Sequence, residues 1–273
     1  MPARRSFRQT LADAIAAMSR DGYTSADQVE RWLRELRAAA EAELGTERLI
    51  DDETRAQLDA LYQRLIEKGK ITDYVPGVGR FTLAMVRPEL RAELDRRILA
   101  SANLIKLHRK EAVDKTLQRF SGWSTSIPVS GRSEETKREV TKHVGKALKQ
   151  FRFEQRRVAI DQGHKLIANI ADIVATDSGA IAAIWHSHWR RMNYDYRPEH
   201  KARDGKIFLI RDSWAMKEGL IKRGSAKYID EIEMPAQLPY CSCFYQYIMS
   251  PRRLPEDMLT EKGREWIARG KAT

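Results

Sequence analysis

The sequence predicts an α+β protein: a mostly helical N-terminal region with long helices, followed by a small α+β C-terminal domain in which a long helix precedes short antiparallel strands. Three observations lead there. Apolar residues recur at helical spacing through the first hundred residues, and a longer helical stripe runs on from Val140. From Ala182 onward the pattern changes to short alternating, aromatic-rich runs separated by polar loops. With 273 residues, the chain divides into a helical region over 1–125, an α+β domain over 126–251 and a C-terminal helix or tail over 252–273.

In chain order, Ser25 and Gln28 have capping-box spacing just ahead of Val29, Leu33, Leu36 and Ala40, which recur at helical intervals. A second helix carries Leu58, Leu61 and Leu65 on one face, has Asp51, Asp52 and Glu53 near its positive end and stops at Gly69. Segment 74–85 sets Pro76, Gly77 and Gly79 among Val75, Val78 and Phe81, a texture that predicts a turn feeding a short strand or extended arm. Pro88 then opens a helix over 89–120. Segment 121–132, rich in Ser with Gly122, Pro128 and Gly131, is the expected linker and places the domain boundary.

Beyond it, Val140, Val144, Leu148 and Phe151 form the apolar stripe of a long helix that continues through Val158, Gln162, Leu166, Ile170 and Ile173. Gly145 and Gly163 weaken that helix, and Asp177, Ser178 and Gly179 end it. Alternation over 182–189, 206–210 and 244–249 predicts strands, and 255–269 reads as a surface helix or tail. The sequence holds no internal repeat or heptad run, which excludes repeat architectures.

Apolar residues make up 42% of the chain and charged ones 32%, enough for a core under a charged surface and too apolar for wholesale disorder. No run of eighteen apolar residues occurs, which predicts no membrane segment. Residues 1–8 lead into an amphipathic pattern without a secretory apolar stretch, which predicts a chain not exported by the Sec route. Cys241 and Cys243 are the only cysteines, too few for a disulfide scaffold and suited to a reducing compartment such as bacterial cytoplasm.

The formal net charge of +11 points to polyanionic partners. The excess is concentrated over 106–165, with fifteen Lys or Arg against seven Asp or Glu. On the long helix, Arg138, Lys142, Lys149, Arg152 and Arg156 fall opposite the apolar stripe. Two roles fit that pattern: a solvated helix surface, or a face that binds phosphate backbones. No base-reading motif accompanies it, so nucleic-acid binding there is expected to be sequence-independent and salt-sensitive.

His186, His188, His200, Cys241 and Cys243 offer imidazole and thiolate donors of the kind zinc takes, although their spacing is not that of a familiar zinc motif. A His-Ser-His strand places both rings on one face, as metal chelation or a simple polar strand face requires. Nucleophile elbows and His-Glu-x-x-His are absent, and Pro76-Gly77-Val78-Gly79 lacks the Lys-Ser/Thr of a nucleotide loop. Asp172, Asp177, Glu199 and Asp204 are isolated carboxylates near turns, read as caps and loop formers.

Arg197-Pro198-Glu199-His200-Lys201-Ala202-Arg203-Asp204-Gly205-Lys206-Ile207-Phe208 resembles the hallmark of phage head morphogenesis proteins, the Mu F-like minor head family. The helix with Arg156, Arg157, Asp161 and Gln162, and the apolar strand with Trp185, are similar to what precedes that hallmark in the family. Leu238-Pro239-Tyr240-Cys241-Ser242-Cys243 is similar to its closing Pro-x-Cys-x-Cys element. Some members have Cys-Pro-x-Cys where this chain has Arg197-Pro198-Glu199-His200, so Arg197 stands in place of a thiol. The first 130 residues carry no comparable resemblance.

The family-motif residues are therefore Arg197, Pro198, His200, Asp204, Gly205, Cys241 and Cys243. Physically, Pro198 fixes a dihedral, Asp204-Gly205 makes a tight turn and His200 reaches toward the cysteine loop, so the motif can brace a small fold. The resemblance implies a non-enzymatic structural protein, a minor head protein of the virion assembled in bacterial cytoplasm. It would act in head assembly near the portal, with portal and capsid or scaffold proteins as partners. Packaged double-stranded DNA is the further partner that the basic face suits. No cofactor is implied, zinc being the ion the His and Cys donors would take. Two alternatives remain: a nucleic-acid-binding protein outside the particle, and a metal-dependent nuclease.

Overall fold

The computed structural model describes residues 5–127 and 136–269. Helix α1 (Phe7–Asp21) is closed by a full capping box between Ser6 and Gln9. At α2 (Ala26–Glu43), Ser25 Oγ accepts from the Gln28 amide, but the Gln28 side chain turns to the Thr24 amide and hydroxyl, so half of the expected box forms. Helix α3 (Glu47–Ile66) starts earlier than expected because Thr46 Oγ1 accepts from the Leu49 amide at 3.2 Å, which moves Asp51, Asp52 and Glu53 past the first turn.

After Gly69, whose φ of 71° needs a glycine, the chain forms a 3-10 turn (Lys70–Asp73) and then helix α4 (Arg80–Met85). No strand or extended arm forms over 80–85. Phe81 is 77% exposed and Met85 65%, so the apolar spacing there was not the signature of a buried strand face. Helix α5 (Arg87–Thr125) runs five residues into the expected linker, since Phe120 and Trp123 are buried core residues and the Ser124 hydroxyl folds back onto the Ser121 carbonyl. The rest of that linker, 128–132, lies outside the described residues.

Helix α6 (Lys137–Val144) opens on a capping box between Thr136 and Glu139. The break before α7 (Lys146–Asp177) falls on Gly145, where the ladder continues from the Gly145 amide to Thr141 and from the Lys149 amide to Gly145. Gly179, at φ 74°, closes α7 as expected.

Two compact units result, residues 1–55 with 99–159 and residues 56–98 with 160–273. They do not follow the expected division at 125/126, because residues 1–125 and 126–251 each supply chain to both units. In the first unit α1 packs on α2 and α6 around Leu11, Met18, Leu36, Phe120, Val140 and Val144.

The second unit holds a four-stranded sheet of β1 (Ala182–His186), β2 (Ile207–Leu209), β3 (Lys227–Tyr228) and β4 (Phe244–Ile248) in the order β3-β2-β1-β4. β1 is antiparallel to β2 and β4, whereas the two-residue β3 pairs parallel to β2, so the sheet is mixed rather than wholly antiparallel. Strand alternation sends Ala183, Trp185, Phe208, Tyr245 and Tyr247 into a core shared with Tyr62, Leu90, Leu94 and Leu166. The other face sends Ala182, Leu209 and Ile248 against Leu220, Ile221 and Met258.

Short helices α8 (Pro198–Ala202) and α9 (Trp214–Lys217) lie between the strands in sequence. Residues 252–269 belong to the same unit and end in α10 (Glu261–Arg269), anchored where Gly263 meets the Leu220 carbonyl so closely that a Cβ would overlap it.

Candidate functional site

The register His186↔Phe244 sets the chain that leaves β1 beside the chain that enters β4. Residues 187–189 and 241–243 are thus neighbours. Pro198 occupies the first position of α8, with Arg197 extended before it, and that single turn carries His200 into the interior at 1% exposure. His200 Nδ1 lies 3.4 Å from Cys241 Sγ and 3.5 Å from Cys243 Sγ, and both cysteines are buried. The donor atoms of the three residues lie within 4.8 Å of one another.

Polar ties fix the cysteine loop. The Tyr240 amide donates to Asp161 Oδ1 at 2.6 Å, Arg197 donates to the Pro239 carbonyl at 3.1 Å, and the Ser242 amide donates to the Tyr194 hydroxyl at 3.1 Å. His188 Nδ1 donates to the Ser242 carbonyl at 2.8 Å. Tyr240, held by those ties, stands at φ 60°, and Ala236 nearby at φ 62°, left-handed positions that cost a non-glycine residue about 1–3 kcal/mol each.

On the far side of the ring, His200 Nε2 lies 3.4 Å from Glu233 Oε1, and Glu233 Oε2 accepts from Arg203 at 3.1 Å. The Arg203 hydrogen bond is the main reason that the Glu233 carboxyl is pulled down to about 2. Trp185 meets His200 edge-on with centroids 5.1 Å apart. Within the cysteine pair, the hydrogen bond from Cys243 holds Cys241 below the usual thiol range, while sharing with Cys241 and burial push Cys243 far up.

Of the five metal-ligand candidates, His200, Cys241 and Cys243 converge. His186 does not join them, because its ring stacks on Phe244 at 4.9 Å, and His188 is committed to the Ser242 carbonyl. Asp204 accepts from the Ser187 amide at 2.8 Å and from Trp189 Nε1 at 2.9 Å, and the Ser187 amide chiefly draws its carboxyl below the usual range. Gly205, at φ 75°, donates its amide to the Trp185 carbonyl, so Asp204-Gly205 is the tight turn that the sequence promised.

Sequence reasoning missed Glu233 and Arg203 as partners of the cluster. Glu233 sits in an irregular stretch with no period to reveal which way it faces. Asp161 was visible as part of the helix before the hallmark, but its bond to Tyr240 spans 79 positions and leaves no local trace.

A second feature lies in the first unit. Arg138, Lys142, Lys149, Arg152 and Arg156 are all exposed, opposite buried Val140, Val144, Leu148 and Phe151, as the helical period requires. The first four of these cations line a groove of about 700 Å³ together with Arg8 and Lys137, over a floor that includes Phe7, Leu11 and Leu148. Glu43 is the acid in its wall and pairs with Arg152 at 3.1 Å. Arg156 lies outside the groove.

No protein-family model, curated protein or solved structure matches the chain.

Proposed function

We propose that this chain is a non-enzymatic structural component of a tailed-phage head, a minor head protein that acts in assembly near the portal and contacts double-stranded DNA without reading its sequence. The observation that carries the proposal is the convergence of the motif residues. Arg197, His200, Asp204, Cys241 and Cys243, separated by up to 46 positions in the chain, meet around one buried loop cluster. Residues that resemble a family hallmark thus also gather in one place, where His200 meets both cysteines and Arg197 and Asp204 brace the adjoining loops.

The basic row supports the DNA contact. Arg138 and Arg156 are eighteen positions apart, roughly 27 Å along a helix, which is comparable to most of one turn of duplex DNA. Cations so placed gain affinity by releasing counterions and carry no base specificity. The burial of both thiols favours a bracing role over turnover, since a nuclease ion must be open to its substrate.

Mass spectrometry of purified particles and proheads of the phage that encodes the chain tests the proposal. The protein is expected in both, at low copy. Its absence from both sinks the virion reading and leaves a nucleic-acid-binding protein outside the particle.

A further inference from the structure

We infer that His200 Nδ1, Cys241 Sγ and Cys243 Sγ together bind one zinc ion, which staples α8 to the loop that enters β4. The inference stands on the geometry of the cluster and is independent of the phage-head proposal.

Two sulfurs and one imidazole nitrogen suit a soft or borderline ion and not magnesium or calcium, which take oxygen ligands. The distances agree. With Zn–S of about 2.3 Å and Zn–N of about 2.0 Å in a tetrahedron, ligand atoms lie roughly 3.5–3.8 Å apart. His200 Nδ1 already lies 3.4 and 3.5 Å from the two sulfurs. All three donor atoms lie within 4.8 Å of one another, so an ion needs shifts of about an ångström or less.

The tautomer also agrees. Glu233 is an acceptor at 3.4 Å from Nε2, so the ring proton belongs on Nε2 and the Nδ1 lone pair faces the sulfurs. A carboxylate on the remote nitrogen of a histidine is the recurrent partner of imidazole ligands, because it fixes the ring and raises its basicity. Arg203 in turn fixes Glu233. Three protein donors leave the fourth position to a water, with Ser187 Oγ 3.7 Å from Cys243 Sγ, and Arg197 donates to the Pro239 carbonyl. Binding would release the thiol proton still shared by the pair to solvent, with no change in oxidation state.

The test uses the full chain without a polyhistidine tag, purified from zinc-supplemented medium and desalted. Elemental analysis is expected to give about one zinc per chain. The variant His186→Ala is expected to keep it, and Cys243→Ser to fall below about a tenth. Metal-free wild-type protein titrated with cobalt(II) is expected to develop a sulfur-to-cobalt charge-transfer band that saturates at one equivalent. Glu233→Gln is expected to weaken zinc about 10–100-fold against a competing chelator.

Zinc below about a tenth of an equivalent in the wild type, together with no cobalt–thiolate band, overturns the inference. So does an intact-mass measurement that shows a Cys241–Cys243 disulfide, or full zinc retained by Cys243→Ser. Should that variant not fold, the cobalt titration of the wild-type chain decides alone.

Discussion

Glu93 in α5 shows how much one side chain can hold. Its carboxylate is 7% exposed and accepts from Arg96 at 2.7 Å, Arg97 at 2.9 Å and Asn169 at 2.7 Å. Burial alone would push its titration up, but the bonds from Arg97, Asn169 and Arg96 together outweigh that and leave the carboxyl below its usual 4.5. A lowered carboxyl contributes stability that is fully present above the unfolded value and is lost as pH falls through the folded one. Glu93→Gln keeps the shape and removes the charge that faces Arg96 and the largely buried Arg97. It should cost about 2–3 kcal/mol at pH 7, with the deficit against wild type shrinking as pH falls below about 4. Urea melts at pH 7 and pH 3.5 measure both values, and an equal deficit at both pH values would show that the charge is not what matters. At this scale the sequence reveals residue types and hides partners. Cys241, Cys243 and His200 stand out as donors because such types are scarce, whereas Glu93 is one acid among 38 Asp and Glu, and its three partners lie at +3, +4 and +76.

At the scale of elements, what was legible was what a local period or a single glycine decides. The break at Gly145, the stop at Gly179 and the buried stripe of Val140, Val144, Leu148 and Phe151 follow from helix chemistry within a few residues. Segment 74–85 was not legible, because Phe81 and Met85 are apolar yet exposed, and only the fold tells a core residue from a surface one. β3 was equally hidden, since two residues pair with β2 without any pattern of their own. The basic face of α6 and α7 gives a prediction at this same scale. If its exposed cations meet phosphates, the logarithm of duplex affinity falls linearly with the logarithm of salt concentration, with a slope near −0.9 per contact. Lys142→Ala, Lys149→Ala and Arg156→Ala combined should reduce that slope by up to about 2.7 and weaken random-sequence duplexes alike. Fluorescence anisotropy across a salt series reads the slope, and an unchanged slope would assign these side chains to solvation only.

At the scale of the whole molecule, the two units cut across the order of the chain, and this was the feature least visible in the sequence. The Ser- and Gly-rich stretch after 121 looks like a boundary because local composition marks turns, but the cores are assembled from stretches on both sides of it. The second core takes Tyr62, Leu65, Ile71, Val75, Leu90 and Leu94 from before residue 125, all 3% exposed or less. The Tyr247 amide of β4 also donates to the Tyr74 carbonyl at 2.8 Å, which satisfies part of the sheet edge. A fragment of residues 126–251 loses all of this. Six buried side chains at about 1.5–3 kcal/mol each amount to roughly 9–18 kcal/mol, as large as the whole net stability of a domain at about 5–15 kcal/mol. The fragment should therefore show no cooperative thermal transition and should bind a hydrophobic dye, even with its own sheet strands intact. Residues 1–125 and 126–273 produced together should associate and recover a cooperative melt, because each supplies part of the core of both units. Calorimetry of the fragment alone and of the pair checks this, and a sharp transition for 126–251 alone, within about 5 °C of the full chain, would mean that the sequential domain is the folding unit after all.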